Sequence, residues 1–467
     1  MSAAGYAPED YEPPSFPDAE NNLKVQFLDA ARNWERMDIY VPQKPADGRL
    51  PCVIIFYGGG WGGKVAGFKE EMRALLDRGY VVMLPDYVLG ASQPVPLAVW
   101  DGAAAIRFVR ANAERYRVDP ERIGVWGYSA GGWLVQHLAP SDSRTLVEAR
   151  GRGPGDAKPR VMLGWVPMIE PHPVLADQPI KVQAVVTDWG AGVLADGAKS
   201  RRDWLTPDDP PLLTCHNDPS GKFPPGPQAL LDAGVPTEVA YLNVKNTHVP
   251  SMKSPGTDKA GQPTTWLGRI LAFLDEYVKN PSQASAPEIL PHGGAIAGST
   301  QVVLRSVHAR AEIHYTLDSS EPTAASAIYD GPITIKPGTT LKTVAIKEGL
   351  KPSRVATAPF TKANAPPPLI TTKERVFITK KGESFSFSFQ ADSKLPLQWL
   401  IAGKLANAQD QSNPPRPVEW LAVDRNTGEL SGKPQAAGVC PLIVAVNAKD
   451  GDTVLCDAVS VIVVVTE

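Results

Sequence analysis

The sequence predicts an α/β domain over residues 1–280, a mostly parallel sheet with helices on both faces, followed by two all-β sandwich modules over 288–362 and 369–467. Three observations predict it. Up to about residue 280, β-branched apolar runs alternate with helical patterns. Two proline-marked breaks then follow, Pro281-Ser-Gln-Ala-Ser-Ala-Pro287 and a stretch at 363–368 that ends in three successive prolines. After each break the apolar spacing shortens to alternating strands separated by Gly/Pro turns.

Taken in order, the strands of the α/β domain are predicted at 51–57, 80–85, 122–126, 182–187, 211–215 and 237–242. Helices are predicted at 68–77, 97–116 and 228–233, with a closing helix at 266–279 whose apolar residues recur at helical spacing. In the last module, Phe385-Ser-Phe-Ser-Phe389 and Val459-Ser-Val-Ile-Val-Val-Val465 carry the strand rhythm.

Length asks for more than one core, since 467 residues exceed what a single ordinary hydrophobic core supports. A formal net charge of −3 gives no basic excess to attract nucleic acid or an anionic membrane surface, so neither partner is expected. No run of about 20 apolar residues exists, and no membrane-inserted segment is expected. Forty-six prolines, nearly double the usual share, suit β-rich modules with many turns. The polar, proline-rich start fits a cytosolic protein or one whose secretory signal has been removed. Among four cysteines, Cys52 and Cys215 read as small buried hydrophobes; Cys440 and Cys456 fall out of register if Asp450-Gly451 makes the turn between them. No His/Cys/Asp/Glu spacing has the form of a metal site, and no metal or cofactor is expected.

Chemistry concentrates at Gly127-Tyr128-Ser129-Ala130-Gly131, which follows an apolar strand and opens a helical stretch. A serine at such a tight turn takes a strained backbone, so small residues must flank it, and its hydroxyl stands above the sheet edge. The hydroxyl needs a histidine to take its proton and a carboxylate to orient that imidazole. In hydrolases of this layout the partners come from loops after later strands, in the order Ser, Asp/Glu, His. That order selects Asp218, after the strand at 211–215, and His248, after the strand at 237–242. His216 competes with His248, and Asp188, Asp208 and Asp209 compete with Asp218. The remaining histidines lie in the β modules (His292, His308, His314), inside the helix after the elbow (His137) or between two prolines (His172). Backbone donors for an oxyanion are expected from Phe56-Tyr57-Gly58-Gly59-Gly60-Trp61, namely Gly59 and Gly60, together with Ala130. Trp61, Tyr128, Tyr57 and Trp189 flank these segments and are candidate rings of a substrate wall, with core packing as the alternative.

Segments 53–64, 124–133, 211–219 and 248–250, in that order, resemble the α/β-hydrolase superfamily. The likeness is to the esterase and lipase branch that includes polysaccharide acetyl and feruloyl esterases and hormone-sensitive-lipase-like enzymes. Their signature begins His-Gly-Gly-Gly-Trp; here Tyr57 stands in place of that histidine, and the acid loop at 216–218 is shortened. Residues 311–323 and 328–333 resemble the C-terminal β-sandwich module of chitobiase-like glycan enzymes, and 420–432 with 438–443 are similar to Ig-like, cadherin-like repeats of bacterial surface proteins.

These resemblances imply a serine carboxylic-ester hydrolase, working through an acyl-serine, that deacylates polysaccharide carrying acetyl or feruloyl esters. The β modules would contact glycan, and the protein would be secreted or periplasmic. Two other readings stand beside it. One is a prolyl-oligopeptidase-like serine peptidase, although the roughly fifty residues before position 51 are too few for the propeller such enzymes carry. The other is a glycan-binding surface protein whose hydrolase domain has lost activity, against which the intact serine, acid, histidine and glycines speak.

Overall fold

Residues 12–27, 36–44, 48–61, 63–64, 68–89, 96–138, 144–151, 160–167, 175–188, 206–216, 225–242, 251–405 and 420–467 are described by a computed structural model of the chain. Among the described residues the N-terminal block holds β1 (Ala19–Gln26), β2 (Arg36–Pro42), β3 (Leu50–Phe56), β4 (Val81–Pro85), β5 (Val118–Tyr128), β6 (Arg144–Gly151), β7 (Arg160–Pro167), β8 (Ala184–Asp188), β9 (Leu212–His216) and β10 (Thr237–Tyr241), with a short separate hairpin at Pro255–Thr257 and Pro263–Thr265. Eight of the numbered strands form one sheet in the order β1-β2-β4-β3-β5-β8-β9-β10. Pairing is antiparallel from β1 to β4 and parallel from β4 through β10. β3 reads Leu-Pro-Cys-Val-Ile-Ile-Phe and is buried along its whole length, as expected of a strand covered on both faces.

The covering helices are α1 (Lys69–Asp77), α2 (Leu97–Ala111), α3 (Ala130–Leu138), α4 (Pro225–Asp232) and α5 (Trp266–Leu274). Successive strand residues show that both faces are covered. Thr187 accepts a bond from Gln136 of α3 at 2.9 Å, while the next residue, Asp188, meets Trp126 and Trp266 on the opposite face. α5 is capped by Thr265, whose hydroxyl accepts the Gly268 N–H at 3.0 Å. The described helix across 97–116 ends at Ala111, earlier than its apolar pattern suggests. β1 escapes the sequence reading because it is an edge strand of mixed polarity, Ala-Glu-Asn-Asn-Leu-Lys-Val-Gln, with little alternation to detect. No described helix is long and apolar enough to cross a membrane.

Beyond residue 287 the regular structure of the described residues is all β. One module packs the three-stranded sheet Glu288–Leu290, Thr300–Arg305 and Ile333–Ile335 against a five-stranded sheet, around Ile313, Ile335, Leu341 and Phe360. It is docked on the α/β block by polar contacts. The Glu121 carboxylate accepts from Lys347 Nζ at 2.7 and 2.9 Å, from His308 Nδ1 at 3.0 Å and from the Ala309 N–H at 2.8 Å. Those bonds hold Glu121 below the usual carboxylate range despite the opposing effect of burial. His308 Nε2 accepts the Ser285 N–H at 2.8 Å, so Nδ1 carries the proton donated to Glu121.

The C-terminal module opposes a three-stranded sheet to a six-stranded one, around Phe377, Trp399, Leu430, Val444 and Val461. Its long hairpin turns at Asp450-Gly451, which sets Cys456 opposite Asn447 and Cys440 opposite Val463, and none of the four cysteines is in a disulfide. The six-stranded sheet runs Val376–Lys380, Thr453–Thr466, Gly438–Asp450, Leu397–Leu405, β6, β7. Two of its six strands therefore come from the α/β block, an arrangement the linear reading into separate modules did not anticipate.

Candidate active site

Ser129 sits between the last residue of β5 and the first of α3 with φ +48°, the left-handed conformation that strains a non-glycine residue. Two backbone bonds hold it there. Its N–H donates to the Asp188 carbonyl at 2.9 Å, and its own carbonyl accepts the Trp133 N–H at 2.9 Å. The flanking glycines are required by space: a Cβ on Gly127 would lie 2.2 Å from the Gly131 carbonyl oxygen, and one on Gly131 would lie 2.1 Å from the carbonyl oxygen of Phe56. The strand, the helix and the end of β3 thus converge on one point, with the serine at its apex.

The glycine loop arrives at that point from β3. A Cβ on Gly58 would come within 2.9 Å of Ser129 Cβ, so the loop backbone lies directly against the nucleophile. Gly59, Gly60 and Trp61 follow with φ of +137°, +60° and +66°, a turn that only glycine enters freely at its first two positions. Ala130 opens α3, where unpaired N–H groups favour negative charge. The loop is held from beneath by groups without a local sequence signal. Lys64 is almost fully buried, 2.8 Å from Asp86 and 3.6 Å from Asp38, and its ammonium stands 5.2 Å from the Tyr57 ring centroid. The Tyr87 hydroxyl donates to the Tyr57 carbonyl at 2.6 Å.

The structure corrects two of the aromatic assignments. Tyr57 is fully buried and stacks on Tyr87 with centroids 4.6 Å apart, and Tyr128 packs on Trp126 and Phe68 at 5.2 and 4.5 Å. Both rings are core rings, because the faces on which they stand are already covered by neighbouring aromatic side chains. Trp61 is buried against Tyr87 and Trp133 in edge contacts, and of these rings only Trp133 is half-buried. Trp189 lies outside the described residues.

Among the competing acids, Asp188 is spent elsewhere. Its side chain is fully buried, its Oδ2 accepts Trp126 Nε1 at 2.8 Å and its Oδ1 accepts Trp266 Nε1. Burial pushes its pKa up to about 7, against the lowering effect of the two indole bonds. Asp208 and Asp209 precede β9, at the end of the parallel sheet opposite the one that Ser129 follows. Asp208 pairs with Lys181 at 2.7 Å. Among the described histidines, His137 is buried with Nδ1 at 2.8 Å from the Trp133 carbonyl, and His308 and His314 serve the first β module. Asp218 and His248 lie outside the described residues. The strands before them are described: β9 ends at His216 and β10 at Tyr241, and both run parallel to β8 and β5.

Residues 37–195 match the family model described as BD-FAE. The chain carries an α/β-hydrolase domain of the esterase type. Behind this esterase domain, residues 291–357 match the chitobiase/β-hexosaminidase C-terminal domain. The carboxylesterase NlhH of Mycobacterium tuberculosis is 36% identical over 103 residues, covering 22% of this chain and 32% of that protein. Endo-1,4-beta-xylanase B of Butyrivibrio fibrisolvens is 26% identical over 146 residues, covering 29% of this chain and 23% of that protein. A solved structure of a truncated carbohydrate esterase from gut microbiota is 21% identical, covering 50% of this chain and 90% of that one at a TM-score of 0.36. The chain thus spans less than a third of the length of either of these curated relatives.

Proposed function

We propose that this protein is a serine carboxylic-ester hydrolase that deacylates polysaccharide carrying acetyl or feruloyl esters. The observation that carries the reading is the strained Ser129 at the strand-to-helix apex, with the backbone of Gly58 packed against it. In the proposed reaction, His248 takes the proton from the Ser129 hydroxyl as Oγ bonds to the ester carbonyl carbon. The N–H groups of Ala130 and of Gly59 or Gly60 receive the negative oxygen, and Asp218 orients and offsets the imidazolium. The C–O bond to the alcohol then breaks, with the proton passing from His248 to the leaving oxygen. Water, deprotonated by the same imidazole, releases the acid and restores Ser129.

The polysaccharide part of the proposal leans on the BD-FAE match, on the appended chitobiase-type module and on the likeness to a protein named as a xylanase. Its test is hydrolysis of p-nitrophenyl acetate by the full chain and by Ser129→Ala, followed by assay of acetate and ferulate released from xylan. Turnover that falls by about four orders of magnitude or more in the variant is expected. Equal turnover by both proteins removes the mechanism; cleavage of prolyl peptide amides with no ester turnover favours a peptidase. Ester turnover without release from xylan removes the polymer.

A further inference from the structure

The C-terminal module meets the esterase domain along both a strand edge and a sheet face. Along the edge, Leu397–Leu405 pairs antiparallel with β6, Ile401 opposite Arg150, Ala402 opposite Ala149 and Leu405 opposite Val147. β7 then pairs with β6 along its full length, from Arg144 opposite Pro167 to Gly151 opposite Arg160. The hairpin supplied by the esterase domain therefore extends the module's sheet, and it covers an edge that would otherwise present unpaired backbone groups.

The sheet face adds a second, independent tie. Strand alternation sends Trp399, Leu442, Val444, Val459 and Val461 into the module's own core. Their neighbours Leu400, Ile443, Ala445 and Ala458 point the other way, yet none is more than 2% exposed, and all four are continuous with the hydrophobic core of the esterase domain. Leu400, Ala445 and Ala458 lie side by side in one row across three strands. Ala402, Ile443 and Ser460 form the next row. Small side chains on this face let another layer approach closely. A sheet buried on both faces, with its edge paired, is what a fixed structural layer looks like; a tethered binding module would keep one face in water.

What that layer holds bears on the nucleophile. β6 and β7 lie in the chain between α3, which begins one residue after Ser129, and β8, whose last residue supplies the carbonyl bonded to the Ser129 N–H. The far end of β7 is tied to α2, with Trp100 Nε1 donating to the Pro167 carbonyl at 3.3 Å. We infer that the C-terminal module is an integral part of the esterase, fixing the β6–β7 hairpin and, through it, the α3 and β8 ends that hold the Ser129 backbone. For its kinetic consequence the inference rests on the esterase reading; for the interface it stands alone.

The test cuts the chain without shortening it. A specific protease sequence placed at 363–368 of the full-length protein is cleaved, and the two pieces are followed by size-exclusion chromatography and by p-nitrophenyl butyrate kinetics. The pieces should co-elute, with KM and kcat within about twofold of the uncut protein. Adding Ala458→Arg, or Ala445→Arg from the same row, puts a charge into the inter-domain face and should release the C-terminal piece. KM should then rise about tenfold or more while kcat changes less, and Ala458→Ser, the small polar choice already present at Ser460, should keep both constants. Ile378→Arg, at a residue of the same module that is itself 74% exposed, should leave the pieces together.

Separation of the cut parent, or an unchanged KM after release, overturns the inference. A measurement without substitutions bears on the same point: the β6 amides bonded to Leu397–Leu405 should exchange slowly with deuterium in the cut parent, and rapid exchange counts against the interface. If the uncut parent shows no ester turnover, the esterase reading fails, while co-elution and exchange still decide whether the module is built in.

Discussion

The N–H of Ser129 donates to the backbone carbonyl of Asp188 at 2.9 Å, and the side chain of the same Asp188 accepts the indole N–H groups of Trp126 and Trp266. One residue at the end of β8 thereby braces the nucleophile's backbone and pins the closing helix α5 to the sheet. Its carboxyl is fully buried, with a pKa pushed up to about 7 by that burial.

A pH dependence of stability follows from this carboxyl. Between the ordinary aspartate range near pH 4 and the folded value near 7, the native state holds a proton that the unfolded state has lost. The unfolded state binds fewer protons there, so stability falls as pH rises through that window, by at most about 1.4 kcal/mol per pH unit from this group, and levels off above it. Denaturant midpoints measured at pH 5, 6, 7 and 8 should show this slope in the parent and its loss in Asp188→Asn. The same slope in both proteins would refute the assignment.

The two aspartates should separate by what they damage. Asp218→Asn should lower kcat by about three to four orders of magnitude with little change in melting temperature, as expected of a carboxylate that only orients a catalytic imidazole. Asp188→Ala should do the reverse. It leaves two indole N–H groups buried without acceptors, at about 1–3 kcal/mol each, while kcat at a permissive temperature stays within about tenfold. Kinetics and thermal melts on the two variants check this, and a reversed pattern would make Asp188 the catalytic acid.

At the elbow, one methyl group is too many. Gly131→Ala would set a Cβ 2.1 Å from the Phe56 carbonyl oxygen, and Gly127→Ala would set one 2.2 Å from the Gly131 carbonyl oxygen. Both contacts are with backbone that cannot swing aside, so each variant should lose about 3 kcal/mol or more of stability together with ester turnover. Gly60→Ala meets nothing within 4 Å and carries only the cost of a positive φ, about 1 kcal/mol. Unfolding curves for the three variants should rank in that way.

Beneath the glycine loop, Lys64→Met should be costly. The substitution removes the cation between Asp86 and Asp38, leaving two buried carboxylates facing each other, and a loss of about 3–5 kcal/mol is expected. Because the same ammonium stands over the Tyr57 ring that anchors the loop, ester turnover should fall as well. Wild-type stability and activity in this variant would mean that the loop has no such support.

The elements nearest the chemistry were the most legible. Glycines at 127 and 131 around a serine signal the elbow because backbone crowding there is local, set within five residues. The buried strand β3 and the amphipathic α5 carry their patterns in contiguous sequence. Legibility fails where the partner is remote. Nothing near Lys64 announces Asp86, 22 residues on, and nothing in Tyr57 or Tyr128 announces the rings that bury them. The choice between a substrate wall and core packing stayed open in the sequence for that reason: ring identity is sequence, whereas ring exposure depends on what packs across the sheet.

By itself, the sequence determined the class of each layer and the residue at the apex of the elbow, since both follow from periodicity and from local steric limits. Only the tertiary structure decided which side chains share a face. It turned Asp188 into a buried brace instead of a competing acid, and it gave β6 and β7 to a sheet whose other strands lie more than 200 residues further along the chain. Strand pairing is made by backbone groups that every residue carries, so an edge shows no preference for its partner until folding brings the two together.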